Sequence, residues 1–147
     1  MDKNLNRLED AMLLFFQTMK RPQRWTDVTE QIGVVIDRPS GQILHILASA
    51  GSSYGVQELA NHLGIEAPSV TRKTQELEQS GYISRVRSDK DKRVVKLEIT
   101  PAGRNLAAKI MKVRRESMRN VLYNWSDSDR VAFINYFERF VSEVASS

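Results

Sequence analysis

Ala67–Arg104 reads APSVTRKTQELEQSGYISRVRSDKDKRVVKLEITPAGR. Val70, Thr74 and Leu77 recur at i, i+4 and i+7, the spacing of one inward helical face. Ser69, Arg72, Lys73 and Glu76 fall on the opposite side, with Thr71 and Gln75 on a flank. Gly81 then stops the helix, because glycine takes the left-handed conformation at little cost. Tyr82-Ile83-Ser84-Arg85-Val86-Arg87 alternates apolar and polar residues, the period of a half-buried strand. Ser88–Lys92 is a polar turn and Arg93–Ile99 the return strand. Thr100-Pro101 opens another helix, with Thr as N-cap and Pro in the first position.

Immediately upstream, Val56–Leu63 reads as a short helix with Leu59, Ala60 and Leu63 facing inward. Gly64 ends it tightly and Ile65 packs beneath the turn. Two short helices joined by a glycine-containing turn form a helix-turn-helix, and the basic hairpin behind them makes it winged. Such a helix fits a major groove, and the hairpin can reach a neighbouring minor groove. The fold class expected is mainly α with a small β-hairpin wing, the winged lobe spanning 39–100. Residues 1–38 and 101–147 supply a connector and terminal dimerisation helices of the same single domain.

The outer segments have their own pattern. Leu5, Leu8, Met12, Phe15 and Met19 step by three and four along a helix of about four turns. So narrow a seam suits packing against other helices, in this subunit or in a second one. Pro22 closes that helix, since the residue before a proline avoids the helical state. Trp25–Asp37 is ambiguous: Asp27 could cap a short helix, and Ile32–Ile36 could be a linker lying on the core. Pro39 and Ser40 open a buried helix through Ala48. A long helix runs from Ala102 to about Tyr123. Ser126 with Asp129 starts the last one, resembling a capping box. On it Phe133, Phe137, Phe140 and Val144 share a face too apolar to leave in water. The economical arrangement buries the first and last helices against each other across a two-fold dimer, with Leu5, Leu8, Met12, Phe15, Phe133, Phe137, Phe140 and Val144 in the interface.

Charge points the same way. The 147 residues carry a net charge of +4. Between Tyr82 and Leu97, six basic residues against two acidic ones give the hairpin +4 by itself. An anionic partner is therefore expected at one small projecting element. The chain has no cysteine and two histidines, His45 and His62, so thiol chemistry and a cysteine- or histidine-rich metal site are excluded. No cofactor, metal or catalytic constellation is expected. No apolar run approaches the ~18 residues of a membrane span, and MDKNLNRLED is not a signal peptide. The expected location is the cytoplasm.

These residues resemble the MarR (multiple antibiotic resistance regulator) family of bacterial transcription regulators. The likeness is carried by Leu59-Ala60-Asn61-His62-Leu63-Gly64-Ile65, Val70-Thr71-Arg72 and Leu77–Ile83. It continues through the wing residues Asp91-Lys92-Arg93 and Leu97–Gly103, with Ile99-Thr100 where the family pattern has Leu-Thr. The resemblance implies a triangular homodimer, a pseudo-palindromic double-stranded operator, and repression relieved by a small, often phenolic, effector. It also implies that Arg93 enters a minor groove, where a narrow A·T tract concentrates negative potential.

The remaining roles follow from side-chain chemistry. Arg72 and Lys73 would meet phosphate or a guanine edge, Ser69, Thr71 and Gln75 would donate or accept hydrogen bonds, and Pro68 would shape the helix start. Lys90 and Lys92 would anchor the wing on the DNA backbone, and Asp91 would hold the hairpin turn. Trp25, His45 and Tyr54 could line an effector cavity or simply be framework. The rival function is a winged-helix module for protein or ligand binding without specific DNA binding.

Overall fold

The computed structural model describes residues 2–147. In order the elements are α1 (Asp2–Met19), α2 (Pro22–Ile32), α3 (Arg38–Ala50), α4 (Val56–Leu63), α5 (Ala67–Gln79), β1 (Ile83–Arg87), β2 (Val95–Ile99), α6 (Pro101–Val121) and α7 (Asp127–Ser146). The mainly helical chain with one two-stranded antiparallel hairpin is the architecture expected. Two compact units are distinguished, one running to Lys112 and the other from Val113 to Ser147.

In the first unit α3 is the central element. Its Ile43, Leu44 and Leu47 are fully buried, and it packs against α4, α5 and β2. Leu59 of α4, Val70, Thr74 and Leu77 of α5, Ile83 of β1 and Leu97 of β2 complete the core. Leu106, Ala107 and Ile110 extend it onto the first turns of α6. Each position belongs to the inward stripe that helical or strand periodicity assigns it. Strands β1 and β2 pair in register from Ile83–Ile99 to Arg87–Val95. Tyr54 adds a bridge on the other edge of β2, exchanging backbone hydrogen bonds of 3.0 and 2.7 Å with Leu97.

Several boundaries differ from the sequence expectation. Pro22 does more than end α1: it begins α2, where its missing N–H costs nothing. Asp27 is therefore inside α2 and caps nothing; its carboxylate accepts the Gln23 amide at 2.7 Å. The α3 cap is Asp37, whose Oδ1 accepts the Ser40 N–H at 2.8 Å. The return strand starts at Val95 rather than Arg93, because the N–H groups of Arg93 and Val94 both fold back onto Asp91.

The second unit contains the end of α6 and all of α7. Ser126 caps α7 by accepting the Asp129 N–H at 3.1 Å. Phe133 stacks on Phe137 with centroids 5.7 Å apart and meets Trp125 edge-on at 5.3 Å. No residue of α7 is buried, nor, in the first unit, any described residue of α1.

Candidate nucleic-acid interface

The turn between α4 and α5 is set by Gly64, which adopts φ +65° and lets the Ile65 N–H reach back to the Ala60 carbonyl at 3.2 Å. At the start of α4, Glu58 accepts the Gly55 N–H at 3.2 Å. Helix α5 then projects with Val70, Thr74 and Leu77 inward. Pro68, Arg72, Gln75 and Glu76 are exposed, whereas Ser69, Thr71 and Lys73 are half-buried. The Thr71 hydroxyl donates to the Ala67 carbonyl at 3.1 Å, a common use of threonine inside a helix.

Lys73 departs from its expected place on the open face. Its side chain is 14% exposed and its Nζ lies 2.7 Å from Asp37 Oδ2. The reason is angular: residues 73 and 70 are three apart, so Lys73 borders the inward stripe. Burial raises the Asp37 carboxyl pKa, but hydrogen bonds from Lys73 and Ser40 outweigh it and the net shift is downward.

The wing separates its cations into two groups. At the base, Arg85 pairs with Glu78 at the end of α5, and Lys96 Nζ lies 2.5 Å from Glu58 Oε1 on α4. The Lys96 hydrogen bond is the main cause of a lowered Glu58 pKa. Toward the tip, Arg87, Lys90, Lys92 and Arg93 are exposed and make no ion pair among the described residues. Asp91 closes the tip by accepting the Arg93 N–H at 3.0 Å through Oδ1. Ser88 and Val94 join the two arms at 3.0 Å.

Of the three residues read as effector-cavity lining or framework, Trp25 and Tyr54 make framework contacts. The Trp25 indole N–H donates to the Ile36 carbonyl at 2.7 Å, and its ring lies so close over Gly41 that a Cβ there would stand 2.5 Å from it. Tyr54 bridges to Leu97 through its backbone and meets His62 edge-on. His45 is exposed on α3. Asp37 and Glu58 are the residues that sequence reasoning did not single out; Glu78 and Gly103 lay within the quoted motif stretches but were given no role.

Among the described residues no cluster of three potential metal ligands occurs, and no helix is long and apolar enough to cross a membrane. An exposed helix face beside a hairpin with unpaired cations can meet a polyanion by charge and hydrogen bonding.

The MarR family model matches residues 36–95. YpoP of Bacillus subtilis, an uncharacterized HTH-type transcriptional regulator, is 26% identical over 136 residues, covering 90% of this chain and 96% of that one. Among solved structures, a MarR family protein from Bacillus stearothermophilus is similar with TM-score 0.86, at 22% identity over 99% of this chain and 98% of that one. FabT from Streptococcus pneumoniae, solved in complex with DNA, is similar with TM-score 0.73, at 18% identity over 97% of this chain and 98% of that one.

Proposed function

We propose that the chain, whose residues 36–95 match the MarR family model, is a DNA-binding transcription regulator, a repressor that grips a pseudo-palindromic operator as a homodimer. The observation that carries this reading is the pairing of an α5 face that exposes Arg72 and Gln75 with the wing-tip cations, which make no ion pair among the described residues. Helix α5 enters the major groove. Arg72 meets a guanine edge or a phosphate, and Gln75 is suited to adenine. Pro68, Ser69 and Thr71 lie at the end of α5 that approaches the backbone. Arg93 inserts into the adjacent minor groove while Lys90 and Lys92 sit on phosphates.

The chemistry is binding alone, as befits a family of regulators rather than enzymes. Neutralised phosphates release counterions, so affinity falls steeply with salt. A homodimer brings two such lobes to half-sites about 34 Å apart, one turn of DNA. The support for it is the apolar face that α1 and α7 each leave uncovered. A small aromatic effector relieves repression by binding unequally to two arrangements of the lobes.

The test is selection of genomic fragments by the purified protein at two salt concentrations. Recovery of an inverted repeat, weakened by salt, is the expected result. Recovery of no preferred sequence by folded protein would overturn the reading and favour the protein- or ligand-binding module. Adding aromatic acids to the recovered complex tests the effector, which must lower the affinity.

A further inference from the structure

Three consecutive residues at the start of α3, Ile36, Asp37 and Arg38, hold four helices between them. The Ile36 carbonyl takes the Trp25 N–H of α2 at 2.7 Å. The Asp37 carboxylate caps α3 through Ser40 at 2.8 Å and holds Lys73 of α5 at 2.7 Å. The Arg38 guanidinium donates to the carbonyls of Met19 and Arg21, at 2.8 and 3.4 Å, and so closes the C-terminal end of α1. One tripeptide therefore ties α5 to the three helices that precede the helix-turn-helix.

Within this junction Lys73 is poorly placed to touch DNA. Its ammonium is turned toward a carboxylate, which repels phosphate, and its stem is covered. Arg72, one residue away, is exposed. Successive residues on a helix are separated by about 100°, so any roll of α5 that moves Lys73 redirects Arg72 and Gln75.

We propose that Lys73 is a positioning residue for the DNA interface: its ion pair with Asp37 fixes the roll of α5 and thereby the aim of Arg72 and Gln75. This inference rests on the DNA-binding reading above. The pair joins residues 36 positions apart, and it is largely withdrawn from solvent on the Lys73 side. It is therefore less screened by salt than an exposed pair. The Asp37 oxygens are divided between two tasks, one for the cap and one for the lysine, so the α5 contact can be removed without uncapping α3.

Asp37→Asn does this, because asparagine caps a helix as well as aspartate. Lys73→Met keeps the apolar stem and removes the charge. Wild type, both single variants and the double variant are titrated against the selected operator and an unrelated duplex over a range of salt, with melting temperatures recorded. Each single variant is expected to weaken operator binding about tenfold, the scale of coupling within one network. The double variant should lose no more than either single one. Binding to the unrelated duplex and the salt slope should stay unchanged.

Unaltered or tighter operator binding by Asp37→Asn, with Lys73→Met lowering the salt slope by about 0.9, would make Lys73 a phosphate contact and overturn the proposal. Equal losses on both duplexes that track melting temperature would overturn it too, leaving the pair a structural brace. Failure of the folded wild type to select any operator would remove the DNA-binding reading, and this inference with it.

Discussion

A Cβ on Gly103 would collide with the Tyr82 carbonyl oxygen and stand 2.8 Å from Ile99 Cγ1. That oxygen accepts the Thr100 N–H at 3.0 Å, so it cannot retreat without opening the start of α6. Gly103→Ala should therefore lower stability by about 1–3 kcal/mol, the usual cost of overpacking. A denaturant midpoint equal to wild type would show that the junction yields more easily than its hydrogen bonds suggest. Arg93 is the opposite kind of residue, exposed and bonded to Asp91 only through its backbone N–H. Arg93→Ala should leave the melting temperature within about a degree, as surface changes usually do. It should weaken operator binding by tenfold or more, the scale of one good groove contact. Unchanged DNA affinity would take the wing out of the interface.

At the scale of the element, the wing is a base held to the helices and a tip left free. Arg85 and Lys96 are engaged by Glu78 and Glu58, whereas Lys90 and Lys92 make no ion pair among the described residues. Removing one cation from a phosphate should reduce the slope of log K against log salt by about 0.9. Lys90→Ala with Lys92→Ala should thus flatten the slope, and Lys96→Ala should leave it nearly intact. The reverse pattern would place the working charge at the wing base. Helix α3 has a pH signature of its own. The Asp37 carboxyl is held below its ordinary 3.8, so the ionised form is favoured by folding. Its stabilisation is complete above that value and fades as acid protonates it through the lowered folded value. Stability measured between pH 5 and 2 should fall less in Asp37→Asn than in wild type. Parallel acid limbs for the two would mean that the Lys73 pair contributes nothing to folding.

Over the whole molecule, the apolar surface left in water is concentrated on the terminal helices. Leu8, Phe15 and Phe16 on α1 are 44–51% exposed, and Phe133, Ile134, Phe137 and Val144 on α7 are 42–59% exposed. Exposed apolar surface of this kind marks an association site, and the occupant proposed above is a second copy of the chain. Phe137→Glu should yield a monomer by sedimentation at concentrations where wild type is a dimer. It should also weaken operator binding, because each lobe then pays its own entropy of association. A wild-type protein that sediments as a monomer at all accessible concentrations would remove the dimer, and with it the palindromic operator.

What the sequence determined by itself is local. The helix-turn-helix, the two-stranded hairpin and the caps at Thr100 and Ser126 were legible because their causes lie within a few residues: helical and strand periods, glycines at the stops, and N-caps three residues from their donors. The candidate interface was legible in type, through Arg72, Gln75 and the wing cations. The tertiary structure decided which of those side chains are available. Lys73 read as a DNA contact and Lys96 as part of the hairpin's positive charge, yet Asp37 and Glu58 take them from 36 and 38 residues away. Trp25 and Tyr54 read as either cavity lining or framework, and their contacts with Ile36, Gly41 and Leu97 are of the framework kind. Such pairings depend on how the helices pack around α3. Helical spacing specifies which face a residue occupies; it does not specify which partner the packed chain brings to that face.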